Sequence, residues 1–289
     1  MKGVVFAGGY GTRLYPLTNI YSKQLVNVYD KPAIYYPMAT LMQAGIKDIL
    51  IITTKDNYNS YKKLFNNGSS LGVRIKYKIQ KKANGCAAGL KLCKSFVKND
   101  TVCVIMGDNF IYGKETVLEI KKALKDFSGA KIFCHEVDNP KDYGVVAIKN
   151  NKVVDIEEKP KNPVSNLAIM GVYLYDSNVF DYINKITFSE RNELEIPDLN
   201  KLYLKNNSLK CKVVSSDEVW MDIGTAENLL LASCFVHSVL KEKNTNIACL
   251  EEIAYKNNSI SFEQLKSLGN FKSEDGKYIL SIKEKKWKF

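Results

Sequence analysis

The sequence has little histidine: two residues in 289, His135 and His237. A Ser-His-Asp relay or a histidine-rich zinc centre has almost nothing to be built from, and both histidines read as structural. The seven cysteines are odd in number and scattered, with no C-x-x-C pair. That leaves no zinc ribbon and argues against a disulfide framework; they read as reduced thiols filling the core of a cytoplasmic protein. No apolar run approaches the roughly 20 residues of a membrane helix. Met1-Lys2-Gly3 leads straight into a strand, so no leader peptide is expected. There is no run of about five like charges, no internal repeat and no low-complexity linker. The formal charge of +11 is spread over many lysines, which argues against a dedicated nucleic-acid or membrane face.

What is present suits a globular protein. The hydrophobic fraction is 45%, and 289 residues suffice for one large α/β domain, alone or with a small appendage. The run Val4, Val5, Phe6, Ala7 predicts a strand buried on both faces of a parallel sheet. It empties into Gly8, Gly9, Tyr10, Gly11, Thr12 and Arg13. A strand leading into glycines offers backbone N–H groups to phosphate and permits close approach. Arg13 adds a forked, permanent cation, and Lys23 a second charge. The P-loop pattern fails, because Gly-Thr-Arg stands where Gly-Lys-Ser/Thr is needed. The dinucleotide fingerprint fails too, because Leu14 stands where its last glycine belongs. An ordinary tight turn accounts for the glycines alone; with Arg13 and Lys23, phosphate binding leads.

Another central apolar strand, Val102 to Met106, ends in Gly107-Asp108-Asn109. A carboxylate there lies where open α/β sheets bind ligands. Mg²⁺ favours one or two carboxylates completed by substrate phosphates, so Asp108 is a metal-ligand candidate. The plain alternative is an Asp that starts a turn. Asp30-Lys31-Pro32 predicts a helix start with Asp30 as cap. Thr225 predicts the cap of a long helix. Gln80, at the end of the strand running from Val73, carries an amide that can pair with a base edge.

The stretches GGYGTRLYPLT, SKQL and YDKPAIYYP are followed in order by GDN, YGV, EEKP, RNELEIPDLN and WMDIGT. Together they resemble the signature of the sugar-1-phosphate nucleotidylyltransferases, over nearly the whole chain. The resemblance implies an α/β fold: a Rossmann-like, mixed, mostly parallel sheet flanked by helices. It implies a catalytic domain over 1–244 and a small C-terminal helical extension over 245–289. It implies thymidylyl transfer from dTTP to α-D-glucose 1-phosphate, with pyrophosphate as the second product and Mg²⁺ as cofactor.

The site residues carried over are these. Gly8, Gly9, Gly11, Thr12, Arg13, Gln80, Gly85 and Asp108 would bind the nucleotide. Lys23, Tyr143, Gly144, Glu158, Lys159 and Gly171 would bind the sugar phosphate. Asp108 and Asp222 would hold the metal, and Arg13 and Lys23 would act in catalysis. Glu252, Ile253 and Lys256 fall in a segment that is regulatory in relatives, near a subunit interface of a homotetramer. The chain departs from the pattern at Asn27, Cys86, Ala88, Met170, Pro197 and Lys256. Asn27, Cys86, Ala88 and Met170 keep open UTP or CTP as nucleotide, or a modified sugar 1-phosphate. A catalytically dead subunit and a nucleic-acid-binding protein are the alternatives from other classes.

Overall fold

Val4 and Phe6 pack into one core layer, Val5 and Ala7 into another. A strand covered on both faces requires such alternation. It is β1, Lys2–Ala7, in the computed structural model, which describes residues 1–82, 84–269 and 272–284. β2 (Asp48–Thr53), β3 (Arg74–Ile79) and β4 (Val102–Met106) run parallel to it in the order β4-β1-β2-β3. The other half of the sheet comprises β5 (Ala130–Glu136), β6 (Gly144–Lys149), β7 (Lys152–Glu158), β8 (Leu167–Tyr175) and β9 (Leu209–Val213). There β8 lies antiparallel to β4, β5 and β6, β7 lies antiparallel to β6, and β9 runs parallel to β5. The expected mixed, mostly parallel sheet is thus present, with nine strands.

Helices cover both faces. Tyr35–Gln43, Glu115–Ala123, Ala226–Lys243 and Leu250–Lys256 supply one layer, through residues such as Met38, Ile120, Val236 and Ile253. Cys86–Lys91, Val179–Ile183 and Ile196–Lys205 supply the other, through Leu90, Phe180 and Leu199. The later helices Phe262–Leu268 and Glu274–Ser281 send Leu265 and Ile279 into the first layer. Among the described residues no helix is long and apolar enough to cross a membrane.

Local chemistry explains several boundaries. Thr225 Oγ1 accepts from Asn228 N at 3.2 Å and caps Ala226–Lys243, as expected. Ser261 and Gln264 form a capping box. Seven of the eleven described non-glycine residues with positive φ are asparagines, so the chain's abundant Asn serves its left-handed turns.

The helix expected at Asp30 starts later, at Tyr35. Lys31–Pro32 is extended instead and pairs with Asn27–Val28, across a turn in which Tyr29 has φ 60°. The cause is Lys31, whose buried ammonium binds Asp30, Asn246 Oδ1 at 2.7 Å and Asp275 Oδ1 at 3.1 Å. Three partners on a buried cation outweigh a helix-cap preference.

A second ribbon, Asn109–Tyr112 against Val219–Asp222, positions the site. Its anchor is Glu218, only 1% exposed. Glu218 accepts from Glu115 N at 2.8 Å, from Thr116 N at 3.2 Å and from Thr116 Oγ1, at the start of Glu115–Ala123. A carboxylate at a helix N-terminus meets unpaired donors and a favourable dipole. Glu218→Ala should destabilise the protein by about 3 kcal/mol, read as a lowered denaturation midpoint. A loss below about 0.5 kcal/mol would remove this anchor role.

Candidate active site

The sequence places Gly8 after β1, Gln80 after β3 and Gly107-Asp108 after β4. These are the carboxyl ends of parallel strands, and they share one edge of the sheet. Gly11 has φ 64° and opens the tight turn Thr12–Leu14. A side chain on it would lie 2.8 Å from Lys23 Cβ, so the loop presses against Lys23 only as glycine. Gly8 and Gly9 are uncrowded: a side chain's first carbon would find its nearest neighbours 3.8 and 3.5 Å away. Thr12 and Arg13 are exposed on the loop.

The ribbon brings the distant acids together. Asp222 pairs in register with Asn109, and Ile223 N donates to Asp108 O at 3.0 Å. Lys23, 8% exposed, inserts its ammonium between the two carboxylates. It binds Asp108 Oδ2 and lies 3.4 Å from Asp222 Oδ1. Arg13 Nη2 reaches Asp222 Oδ2 at 3.3 Å. Burial alone would lower the Lys23 pKa, but the charges of Asp108 and Asp222 outweigh it and hold the pKa above the ordinary value. Burial, then the charge of Asp108, raises the Asp222 pKa against the pull of Lys23 and Arg13.

The two carboxylates fit a divalent cation. They are hard oxygen donors whose mutual repulsion a cation relieves. Among the described residues no group of three or more His, Cys, Asp or Glu side chains could hold a metal. Such an ion would therefore complete its shell with substrate oxygens or water.

On the adjoining side Gly144 pairs with Glu158, and Lys159 N donates to Tyr143 O at 3.0 Å. Lys159 has φ 48°, a left-handed conformation costly for lysine and fixed here by that pairing. Glu158 lies 3.6 Å from Arg191 Nη2, which also binds Glu195 through 2.9 Å contacts. Burial raises the Glu158 pKa, opposed by Lys159 and Arg191. The Tyr143 ring stands 5.3 Å from Trp220, whose Nε1 donates to Asn109 Oδ1. Tyr143 thereby joins the Glu158 side to the Asp222 side. Burial, then the charge of Asp222, raises its hydroxyl pKa.

Gln80 Nε2 donates to Asn84 Oδ1 and Gly85 O, both at 3.1 Å. Its Oε1 faces Gly89, where a side chain would come within 2.7 Å of it. Gly171 is crowded by Asn109 and Met106. Met170 is fully buried in the layer opposite Ile169, so its difference from the family pattern is a packing change and not a sugar contact. Glu252, Ile253 and Lys256 are not brought to this cluster. Lys256 pairs with Glu252 at 2.7 Å, Tyr278 OH donates to Glu252 Oε2 at 2.9 Å, and Ile253 is in the core. His135 is structural: its ring nitrogens face Glu136 O at 2.7 Å and Glu218 O at 2.9 Å.

Three residues in the site carried no role from sequence. Arg191 is the counter-ion of Glu158. A side chain on Gly224 would come within 2.5 Å of Lys23 Nζ and 2.9 Å of Arg13 Nη2. Gln24, 3% exposed, lies behind Gly9. All three stand inside motifs already noted, which was the only available signal.

The chain is similar to several known proteins. The sequence profile of the family described as Nucleotidyl transferase matches residues 2–239. A glucose-1-phosphate thymidylyltransferase of Neisseria meningitidis is 43% identical over 99% of this chain and 100% of its own length. One of Mycobacterium tuberculosis is 38% identical over 99% of this chain and 100% of its own length. A solved Bacillus anthracis structure, provisionally named as the same enzyme, has a TM-score of 0.76 at 41% identity, covering 81% of this chain and 94% of that one. The chain belongs to the Nucleotidyl transferase family.

Proposed function

We propose that the protein transfers a thymidylyl group from dTTP to α-D-glucose 1-phosphate, giving dTDP-glucose and pyrophosphate. The observation that carries this reading is the chain Arg13–Asp222–Lys23–Asp108 at the mouth of the glycine loop, in a protein similar over nearly its full length to enzymes of that name. An oxygen of the sugar phosphate attacks the α-phosphorus in line. The bond from the α-phosphorus to the oxygen bridging to the β-phosphorus breaks, and pyrophosphate leaves with the electron pair. Phosphate is already a nucleophile, so no histidine relay is needed.

The residues hold two anions together and offset developing charge. Backbone N–H groups of Gly8 to Arg13 cradle the triphosphate. Arg13 and Lys23 stabilise the leaving group. Gln80 Oε1, with the Gly85 backbone, reads the base. Lys159 holds the sugar phosphate, Glu158 accepts from sugar hydroxyls, and Tyr143, Gly144 and Gly171 shape that pocket. Nucleotidyl transferases of this family generally use a divalent metal. Asp108 and Asp222 would hold it, here Mg²⁺, which when bound would supply positive charge to offset that of the phosphates.

Glu252, Ile253 and Lys256 form a regulatory segment in the same proposal. Assembly as a homotetramer belongs to it too, and Leu230 and Leu231, 63% and 51% exposed, offer apolar surface for contact. The test is pyrophosphate release with Mg²⁺, crossing dTTP, UTP, CTP, ATP and GTP with glucose 1-phosphate. Fast release confined largely to dTTP is expected. Release only with another nucleotide, or only with another sugar 1-phosphate, would shift specificity to Cys86 and Ala88. Release with none would overturn the activity.

A further inference from the structure

Gln24 sits at a decisive place, and its orientation is not left to chance. The residue is 3% exposed, its Cγ packs where a Gly107 side chain would begin, and its amide nitrogen faces Gly9. An amide can present either a donor or an acceptor to that loop. Toward phosphate the two faces have opposite effects: Nε2 donates, whereas Oε1 repels.

A buried relay makes the choice. Ser22 Oγ, in a residue 6% exposed, donates to Gln24 Oε1 at 2.7 Å. A hydroxyl has one proton. The 2.8 Å contact between Ser22 Oγ and the Tyr61 hydroxyl must therefore be donated by Tyr61. Tyr61 stands on the helix Tyr58–Phe65 and is fully buried. Its hydroxyl also lies 3.4 Å from Ala7 O, at the last residue of β1 before the loop, and 3.5 Å from Gln24 Oε1 itself, the same amide atom that Ser22 binds. The proton order Tyr61 to Ser22 to Gln24 Oε1 leaves Nε2 toward Gly9, and the described residues offer that nitrogen no acceptor.

We propose that Tyr61 is a positioning residue for the transfer reaction: through Ser22 it holds the Gln24 amide so that its N–H donor, not its carbonyl oxygen, faces the phosphate cradle. This rests on the reading of Gly8 to Arg13 as that cradle. Without the Tyr61 hydroxyl, the Ser22 proton loses the contact that orients it. Both senses of the amide then become accessible, and one of them opposes the nucleotide.

A double-mutant cycle tests this with the ring kept in place, because a tyrosine that acted only through its packing would lose nothing on removal of the hydroxyl, and an effect of the hydroxyl elsewhere would persist without the Gln24 amide. kcat/KM for dTTP is measured at saturating glucose 1-phosphate for the unsubstituted protein, Tyr61→Phe, Gln24→Ala and the double variant. Tyr61→Phe keeps the ring and its packing. It should lower kcat/KM about threefold to tenfold, the scale of one hydrogen bond, yet change it by less than about 1.5-fold once Gln24 is already alanine. Ser22→Ala, taken through the same cycle, should behave alike and stands in should Tyr61→Phe not fold. Equal losses in both backgrounds, or no loss in either, would overturn the assignment. Absence of thymidylyl transfer by the unsubstituted protein would instead sink the proposed function, and this assignment with it.

Discussion

Arg13→Ala should lower turnover at least about a hundredfold, the effect of removing a principal charge-stabilising donor, while leaving thermal stability nearly unchanged. The two effects separate for a geometric reason. The Arg13 side chain is 52% exposed, and its contact with Asp222 Oδ2, at 3.3 Å, is long. Exposed ion pairs contribute little to folding. The guanidinium is therefore held at the loop without being needed to hold the loop. Its planar fork can bind two phosphate oxygens at once, which an ammonium cannot, so Arg13→Lys should recover only part of the loss. Steady-state kinetics and a melting curve on the same preparation read both effects. A change in turnover below about threefold would end the role assigned to Arg13.

Lys23→Ala should be as damaging to turnover, by about a hundredfold or more, and should also destabilise the protein. Lys23 is buried between Asp108 and Asp222, and its removal leaves two carboxylates facing each other. Breaking a fully buried pair costs about 3–5 kcal/mol. Here the carboxylates are 20% and 21% exposed, so about 2 kcal/mol is the expected loss. The sign of its pH dependence follows. Asp222 already has a raised pKa, through burial and then Asp108. Without Lys23 the Asp222 carboxyl should be raised further above its unfolded value. A group so raised favours the folded state below its unfolded pKa and loses that contribution as pH rises through the folded one. The deficit should therefore shrink on acidification toward about pH 4, and Mg²⁺ should restore part of the melting temperature at neutral pH. A deficit indifferent to both pH and Mg²⁺ would contradict this electrostatic account.

Much of the fold could be read from local pattern. The apolar runs that became β1 and β4 stand out, because strands buried on both faces have no polar positions. Thr225 announced a helix start because capping is a local interaction. The failure at Asp30 has the opposite cause: Lys31 is held by Asn246 and Asp275, far away in sequence. The site divides the same way. The glycine loop and Asp108 could be suspected from strand ends alone. The meeting of Asp108 with Asp222 could not, because it depends on the ribbon pairing Asn109 with Asp222, and only family resemblance suggested it. The relay from Tyr61 to Gln24 had no signal at all, since it joins residues on separate elements through side chains alone.

The proposed transfer is direct and in line, between two substrates held side by side, with no nucleophile supplied by the protein. The stereochemical course at the α-phosphorus tests it most directly. With a single diastereomer of dTTP bearing sulfur on the α-phosphorus and glucose 1-phosphate as acceptor, the product dTDP-glucose analogue should show inverted configuration. Net retention would mean two displacements through a covalent nucleotidyl-protein intermediate, and would contradict the roles of Arg13, Lys23 and Lys159 in a single displacement.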